Sequence, residues 1–309
     1  MGLVAAAARP LRLEWTPLRV RALRHGLWIG AALFTISAIA TVAIGQAGED
    51  SHAYWAAWRH GVYFAGPGEV DAYLYSPAFA QLIWPLTLLP WPVFFFVWAG
   101  AATAIYAWLL APLGRAWSIP LLLMCLPEIV CGNVFPFFAL VLVVGFRYPA
   151  AWACPLLLKV TPAVGFVWFA VRREWRRFAV ALGAAAAVAA VSYVAAPHLW
   201  SEWVRLLLHP DQFTVASRVT TGPLLHIPPR VILLVGVPLS LALTVFAART
   251  NRPWLLPFAM VLASTVFWLN VFAVLTAIPR IAASSSAARS PRRSASPTPS
   301  RSPAASATS

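Results

Sequence analysis

Acidic and aromatic side chains are concentrated in one polar stretch that follows the first apolar run of the chain. Asp50 precedes His52, Tyr54 and Trp55, and Tyr75 comes later in the same stretch. A carboxylate there can act as a general base toward a sugar hydroxyl, with aromatic rings stacking on sugar faces. The alternative interpretation is a helix-capping aspartate followed by an aromatic belt at a membrane surface. If the stretch is catalytic, Asp50 is the predicted base, and Glu49 and Asp71 are its rivals.

A second group of polar residues lies within or beside apolar stretches. Lys159, the only lysine in the chain, interrupts an apolar run. A charge at membrane depth costs roughly 3 kcal/mol on insertion and usually marks a functional site, although a lysine near a helix end can also snorkel. Glu128 is interpreted as a partner of Lys159, as an acceptor-binding group or as a protonated buried acid. Asn133 is predicted either to bind a sugar or to cap the following helix.

Further basic residues follow in a later polar segment. Arg205, His209 and Arg230 are candidates for contacts with a phosphate group, because an anionic leaving group needs cations or N–H donors close by. The sequence contains no glycine-rich phosphate loop and no alternation of strand and helix patterns. It therefore does not indicate a nucleotide-binding domain. We therefore expect no cofactor, no metal and no nucleotide fold.

The composition predicts an all-α polytopic membrane protein. Of the 309 residues, 61% are hydrophobic and only 10% are charged, with a mean hydropathy of +0.75. Soluble domains carry about a quarter charged residues. The net charge of +14 comes from short basic clusters between apolar stretches, which is typical of topogenic charges. This distribution argues against a nucleic-acid-binding surface.

The arginine clusters predict the topology. A basic segment at residues 1–26 precedes the first span, which places the N-terminus in the cytoplasm. The two large segments with few arginines, about 46–90 and 196–229, are predicted to lie outside the cell. The remaining clusters are predicted inside, at Arg115, Arg147, Arg172, Arg173, Arg176, Arg177, Arg249, Arg252 and Arg280. The predicted location is therefore the inner (plasma) membrane, with many spans.

Several apolar segments are too short to cross a bilayer alone, because a spanning helix needs about 20 residues. They pair as about 118–131 with 134–146, 149–158 with 162–171, and 254–267 with 270–279. The turns between them, at 131–133, 159–162 and 268–270, are polar. They are predicted either to line one outward-facing cavity or, taken singly, to serve only the packing of the helices. Together with the long spans they give a bundle of about 8–10 transmembrane or re-entrant helices over residues 27–281.

Two other features complete the organisation of the chain. Residues 282–309 are rich in Ser, Pro, Ala and Arg and are predicted to be a disordered tail. Cys125, Cys131 and Cys154 lie in apolar segments and are interpreted as small hydrophobic residues.

The order of several short motifs resembles that of the family 87 glycosyltransferases, the polyprenyl-phosphate-mannose-dependent mannosyltransferases of actinobacterial envelopes. The resemblance covers about residues 25–280 and rests on the motifs Asp50-x-His52-x-Tyr54-Trp55-Ala56-Ala57, Tyr75-Ser76-Pro77, Pro85-Leu86-x-x-Leu89-Pro90, Gly132-Asn133, Leu158-Lys159-x-Thr161-Pro162 and Arg172-Arg173-Glu174-Trp175-Arg176. It implies a GT-C-type fold with its catalytic aspartate in the first outer loop, a role that maps to Asp50. Its implied partners are a polyprenyl-phosphate sugar donor, a lipid-linked glycan acceptor and membrane lipids, with no nucleic acid.

Two other classes of function remain as alternatives at this point. A transporter or flippase would also use broken helices and buried charges, but it should show paired, repeat-related interruptions. A catalytically inactive membrane scaffold is the second alternative, because the chain is shorter than the family leads one to expect.

Overall fold

The structure, a computed structural model, describes residues 16–66, 69–159, 163–208, 232–264 and 269–289. Within these ranges the regular structure is helical and contains no strand. Among the residues described, three helices are long and apolar enough to cross a membrane: Pro17–Ala43 (α1), Trp91–Leu110 (α4), which continues as a 3₁₀ turn to Leu113, and Trp175–Ala195 (α10). The prediction of an all-α polytopic membrane protein is confirmed.

Helix α1 begins at a standard N-cap and remains largely exposed along its length. The Thr16 hydroxyl accepts a hydrogen bond from the Arg19 amide at 3.3 Å, and Pro17 occupies the first helical turn. Large apolar side chains such as Leu33 and Ile36 are more than 60% exposed. In a membrane protein such a surface faces lipid, so α1 is a peripheral span. It packs against the helices Arg115–Met124 and Leu126–Cys131.

The first predicted outer segment contains two helices, Glu49–His60 (α2) and Pro77–Thr87 (α3). They pack together through buried aromatic side chains, and the Trp58 indole donates a hydrogen bond to the Ala80 carbonyl at 2.9 Å. Tyr54, Tyr73 and Phe79 are all less than 7% exposed. The segment is therefore a packed layer above the spans.

Residues 115–144 form three helices: Arg115–Met124 (α5), Leu126–Cys131 (α6) and Phe135–Val144 (α7). The segment predicted over 118–131 is helical on both sides of a break at Cys125. Pro127 lacks an N–H and cannot continue the hydrogen-bond ladder of α5. The predicted turn at 131–133 is observed: Gly132, with φ +79°, ends α6 in the left-handed region.

The next hairpin arms match the prediction closely. A 3₁₀ turn at Pro149–Trp152 leads into Ala153–Leu158 (α8), and Val164–Val171 (α9) follows after the undescribed residues 160–162. Trp152 is fully buried against Gly165, where an added Cβ would lie 2.1 Å from the indole ring. The absence of a side chain at Gly165 thus lets the two arms pack closely.

The remaining elements continue the bundle. They are Pro197–Leu208 (α11), a π-helical turn at Ile232–Gly236, Val237–Arg249 (α12), a 3₁₀ turn at Pro253–Leu255, Leu256–Leu262 (α13), a 3₁₀ segment at Leu269–Ala277 and Ile278–Arg289 (α14). Helix α14 extends past residue 282, where the composition predicts disorder, because the alanines that follow favour helix. The predicted turn at 268–270 lies only partly within the described residues, and its role in a cavity is untested.

Contacts between helix ends group the chain into two faces. At one face Arg172 donates hydrogen bonds to the Ala248 carbonyl and to the Asn251 side chain, and the Arg280 guanidinium lies 4.2 Å from the ring centroid of Trp108. At the other face Gln81 donates a hydrogen bond to the Ser192 carbonyl at 3.1 Å. Which of the two faces lies inside the cell stays a prediction from the arginines.

Candidate active site

The start of α2 is fixed to the end of α6, and this contact positions Asp50. The Gly48 amide donates a hydrogen bond to the Val130 carbonyl at 2.7 Å. Gly48 has φ +79°, and an added Cβ there would lie 2.6 Å from the Trp91 ring. Glycine is therefore required both by the backbone conformation and by the close approach of the indole. Asp50 follows in the first turn of α2, so a helix end fixes its position.

Two side chains at the C-terminal end of α6 and just after it hold the Asp50 carboxylate. The Asn133 amide donates a hydrogen bond to Asp50 Oδ2 at 2.6 Å, and the Cys131 thiol donates one to the same oxygen at 3.0 Å. Asn133 Oδ1 accepts a hydrogen bond from the Val134 amide at 2.6 Å. This second bond fixes which end of the asparagine amide faces the carboxylate. Oδ2 is thereby occupied, whereas Oδ1 accepts no hydrogen bond from the described residues.

Lys159 is the first residue after α8 and lies at the same site. Its Nζ is 4.8 Å from the ring centroid of Phe135 and 5.5 Å from that of Tyr75. The Tyr75 hydroxyl lies 3.3 Å from the Tyr54 hydroxyl, and Tyr54 is one helical turn from Asp50 on the same face of α2. Within the described ranges, Lys159 Nζ makes no hydrogen bond to protein. The ammonium is thus held over aromatic rings with its donors available.

Burial and the neighbouring charges act in opposite directions on Asp50. Burial raises the pKa of its carboxyl, while the thiol of Cys131, the positive charge of Lys159 and the amide of Asn133 lower it. The net pKa is above the ordinary value for aspartate. A carboxylate with a raised pKa is a stronger base once it is ionised. The environment therefore suits proton acceptance.

Glu128 belongs to the same electrostatic environment. It lies on α6 with only 2% of its surface exposed. Glu128 and Asp50 both interact electrostatically with Lys159. The site thus combines two carboxyl groups and one ammonium, drawn from α2, α6 and the end of α8.

Some predicted site residues lie elsewhere. His52 is two positions from Asp50, so it faces another side of α2. Its Nδ1 contacts Asp71 Oδ1 at 2.5 Å, and its ring packs edge-on against Trp91 at 4.6 Å. Trp55 lies on the His52 side, where its indole donates a hydrogen bond to the Leu89 carbonyl and the Arg59 guanidinium lies 3.6 Å from its ring centroid.

Of the three phosphate contacts predicted in the second outer segment, the structure describes Arg205. Arg205 is exposed on α11 and contacts none of the residues around Asp50. His209 and Arg230 lie outside the residues that the structure describes.

The two rival carboxylates have different environments. Asp71 is engaged by His52, and its backbone has φ +63°. Glu49 is exposed, and its pKa is raised by partial burial and by the charge of Asp50. Among the described residues, neither of these carboxylates accepts hydrogen bonds from both an amide and a thiol, as Asp50 does.

Cys131 is the residue of the site that sequence reasoning missed. A thiol inside an apolar run is normally a small hydrophobic residue. Its donor role depends on Asp50, 81 residues earlier in the chain. The nearest signal in the sequence is its position directly before Gly132-Asn133. Among the described residues no group of three or more His, Cys, Asp or Glu side chains could hold a metal ion.

The fold and the site define a class: a helical membrane protein with a carboxylate and an ammonium held together beside the spans. A model of glycosyltransferase family 87 matches residues 73–288, which is more than half of the chain. The chain therefore belongs to glycosyltransferase family 87 and is a membrane glycosyltransferase. The match includes Tyr75, Glu128, Asn133 and Lys159, whereas Asp50 precedes it. Searches of curated proteins and of solved structures give no match to this chain.

Proposed function

We propose that this glycosyltransferase moves a hexose, with mannose as the expected sugar, from a polyprenyl-phosphate donor to an envelope glycolipid or glycan. The transfer takes place at the outer face of the cytoplasmic membrane. The observation that carries the proposal is the pairing of a held carboxylate, Asp50, with the ammonium of Lys159 beside membrane-spanning helices.

Asp50 is proposed as the general base. Because Asn133 and Cys131 both donate to Oδ2, Oδ1 is the oxygen left to meet an acceptor hydroxyl. In the reaction the hydroxyl oxygen attacks the anomeric carbon of the donor sugar and its proton passes to Oδ1. The bond between the anomeric carbon and the phosphate oxygen breaks, and its electron pair leaves with the lipid phosphate. Such base assistance is typically worth 10²–10⁴-fold in rate.

Lys159 is proposed to stabilise the departing phosphate. The leaving group gains negative charge at the oxygen that separates from the sugar, and a fixed cation stabilises that charge in a site that excludes water. Lys159 keeps its ammonium donors available over Tyr75 and Phe135.

A donor carried on a lipid is consistent with the surroundings of the site. The site lies where α2 meets the end of α6, next to the span α4 and the peripheral span α1. A polyprenyl-phosphate can reach this position from within the bilayer, with its phosphate at the interface. The outer surface of α2 lies on the same side of the spans as Asp50 and is proposed to receive the acceptor.

The direct test is a transfer assay in membranes that contain the full chain. Radiolabelled polyprenyl-phosphate mannose should yield labelled glycolipid or glycan, whereas labelled nucleotide-sugar should not do so when synthesis of the lipid donor is blocked. Membranes with Asp50→Asn protein at equal expression serve as the matched control. Movement of the donor across the membrane without any labelled product would support a flippase. Absence of both activities with a folded chain would support a scaffold.

A further inference from the structure

A cavity of about 450 Å³ lies at the arginine-rich end of α1, far from the Asp50 site. It is lined by Arg24, His25 and Trp28 of α1 and by Arg115, Ala116 and Ile119 of α5. The volume falls within the range of about 300–1,000 Å³ that is usual for small-molecule sites. Neither the proposed glycosyl transfer nor the family match assigns a role to this cavity.

Each of the two helices lines the cavity with an arginine followed one turn later by an apolar side chain. On α1, Arg24 lies one turn before Trp28 on the same face, and on α5, Arg115 lies one turn before Ile119. Both helices start near the arginines and run into the bundle, so the apolar side chains lie about 6 Å deeper than the charges. The cavity therefore has a cationic rim and an apolar floor.

Both guanidiniums are available at the rim. Arginine is protonated at all physiological pH values and can bind phosphate oxygens through two parallel N–H bonds. Among the described residues, neither Arg24 nor Arg115 forms an ion pair or a hydrogen bond through its side chain. Trp28 is 45% exposed and Ile119 is 47% exposed, so the floor is open to a ligand. Among the described residues that line the cavity none is acidic, so the two guanidiniums give it an excess of positive charge.

We propose that this cavity binds the headgroup of an anionic glycerophospholipid. Its phosphate would lie between Arg24 and Arg115, and its glycerol and upper acyl chains would lie against Trp28 and Ile119. A phospholipid carries a charged headgroup above apolar chains along the bilayer normal. The cavity places its charged and apolar side chains in the same order. Tryptophan is also enriched at the headgroup level of membranes. A free phosphate ion would leave the apolar floor uncovered.

The position of the cavity separates this lipid from the proposed sugar donor. From Arg24 to the end of α1 at Ala43 the helix rises by about 28 Å, close to the thickness of the hydrocarbon core. Asp50 follows shortly after that end. The lipid bound at Arg24 and Arg115 therefore belongs to the opposite leaflet from the lipid that reaches Asp50.

Native mass spectrometry of the purified full-length protein tests this proposal. After incubation with equal amounts of phosphatidylglycerol and phosphatidylcholine, the wild-type chain should retain phosphatidylglycerol preferentially. Each basic residue near an anionic surface contributes about fivefold in binding. Arg24→Gln and Arg115→Gln should therefore each weaken retention about fivefold, and the double variant should weaken it further. Arg249→Gln, an exposed arginine on α12 outside the cavity, is the matched control and should retain the lipid as wild type does.

Three outcomes would overturn the proposal. Equal retention of phosphatidylglycerol by the wild type and the double variant would show that the arginines bind no headgroup. Equal retention of both lipids by the wild type would show an apolar groove without selectivity. Displacement of the lipid by millimolar inorganic phosphate would show a site for the free anion. Arg24→Lys with Arg115→Lys keeps both positive charges. If this variant retains the lipid, weaker retention by the Gln variants results from the lost charge and not from unfolding.

Discussion

At the scale of single residues, both oxygens of Asp50 have distinct surroundings. Asn133 and Cys131 hold Oδ2, while Oδ1 is left to the substrate. Burial raises the pKa of the carboxyl, and these donors, with Lys159, partly offset that effect. Because a general base must be ionised to accept a proton, activity should be lost as the pH falls through this raised pKa. The acid limb should therefore lie above the pH of about 4 that an ordinary aspartate would give.

Removing one group that donates a hydrogen bond to Asp50 should shift the acid limb of the pH–activity profile to higher pH. In Asn133→Ala the carboxylate loses a hydrogen bond that stabilises its charged form, so its pKa should rise and kcat/KM should begin to fall at a higher pH. Cys131→Ala should act in the same direction, and Cys131→Ser should restore a donor. Asn251→Ala, at the opposite face of the bundle, is the control. A pH profile of Asn133→Ala that coincides with the wild type would show that the amide does not tune Asp50.

Lys159 gives a second prediction at this scale. Lys159→Met keeps most of the side-chain volume and removes the charge, so a phosphate leaving from the site would lose its cation. We expect kcat/KM for the lipid donor to fall by at least tenfold, with normal insertion and expression. Lys159→Arg keeps the charge with altered geometry and should recover part of the activity. Unchanged donor kinetics in Lys159→Met would assign the lysine to anchoring at the membrane interface.

At the scale of secondary-structure elements, the geometry around Asp50 depends on the contact between α2 and the turn after α6. Gly132 has φ +79°, and an added Cβ would lie 2.2 Å from Ser51 Oγ. Gly132→Ala should therefore push the turn that carries Cys131 and Asn133 away from Asp50. Left-handed strain alone costs about 1–2 kcal/mol, so thermal unfolding in detergent should shift downward and turnover should fall.

The matched control is Gly183→Ala in α10. No heavy atom lies within 4 Å of an added Cβ at Gly183, and alanine stabilises a helix interior by about 0.5–1 kcal/mol relative to glycine. This variant should unfold at the same or a higher temperature and keep its activity. If Gly132→Ala behaves like Gly183→Ala, the close approach of the turn to α2 is not needed for the site.

The sequence predicted some of these elements well and others not at all, for physical reasons. Gly132 and Lys159 each stand out locally, as a polar interruption of an apolar run, and each is found at a helix end beside Asp50. The break at Cys125 was missed although Pro127 follows it, because proline is also common in the first turn of a helix. The donor role of Cys131 and the engagement of His52 by Asp71 depend on residues distant in the chain, which periodicity and composition do not report.

At the scale of the whole molecule, the two faces of the bundle differ in charge and in chemistry. The face with Arg172, Asn251 and Arg280 is predicted to be cytoplasmic, and the face with α2, α3 and α11 carries the Asp50 site. Because lysine and arginine near short loops set the orientation of membrane proteins, the site should face outward.

Labelling of engineered cysteines in intact cells measures this orientation. Ser201 on α11 and Thr250 after α12 are both exposed and lie at the two different faces. A membrane-impermeant maleimide should label Ser201→Cys and leave Thr250→Cys unlabelled until the cells are opened. The parental chain, with its three native cysteines, gives the background. Labelling of Thr250→Cys alone would invert the orientation and place the Asp50 site inside.

If Asp50 is the base of a lipid-donor glycosyl transfer, Asp50→Asn should lose most of its turnover. The amide is nearly isosteric but cannot take the proton, so kcat with the polyprenyl-phosphate donor should fall by about 10²–10⁴-fold. Donor binding should survive, because Lys159 is intact. Glu49→Gln and Asp71→Asn, measured in parallel, should have milder effects. Near-normal turnover in Asp50→Asn would contradict the account, and a dead Glu49→Gln or Asp71→Asn enzyme beside it would move the base to that carboxylate.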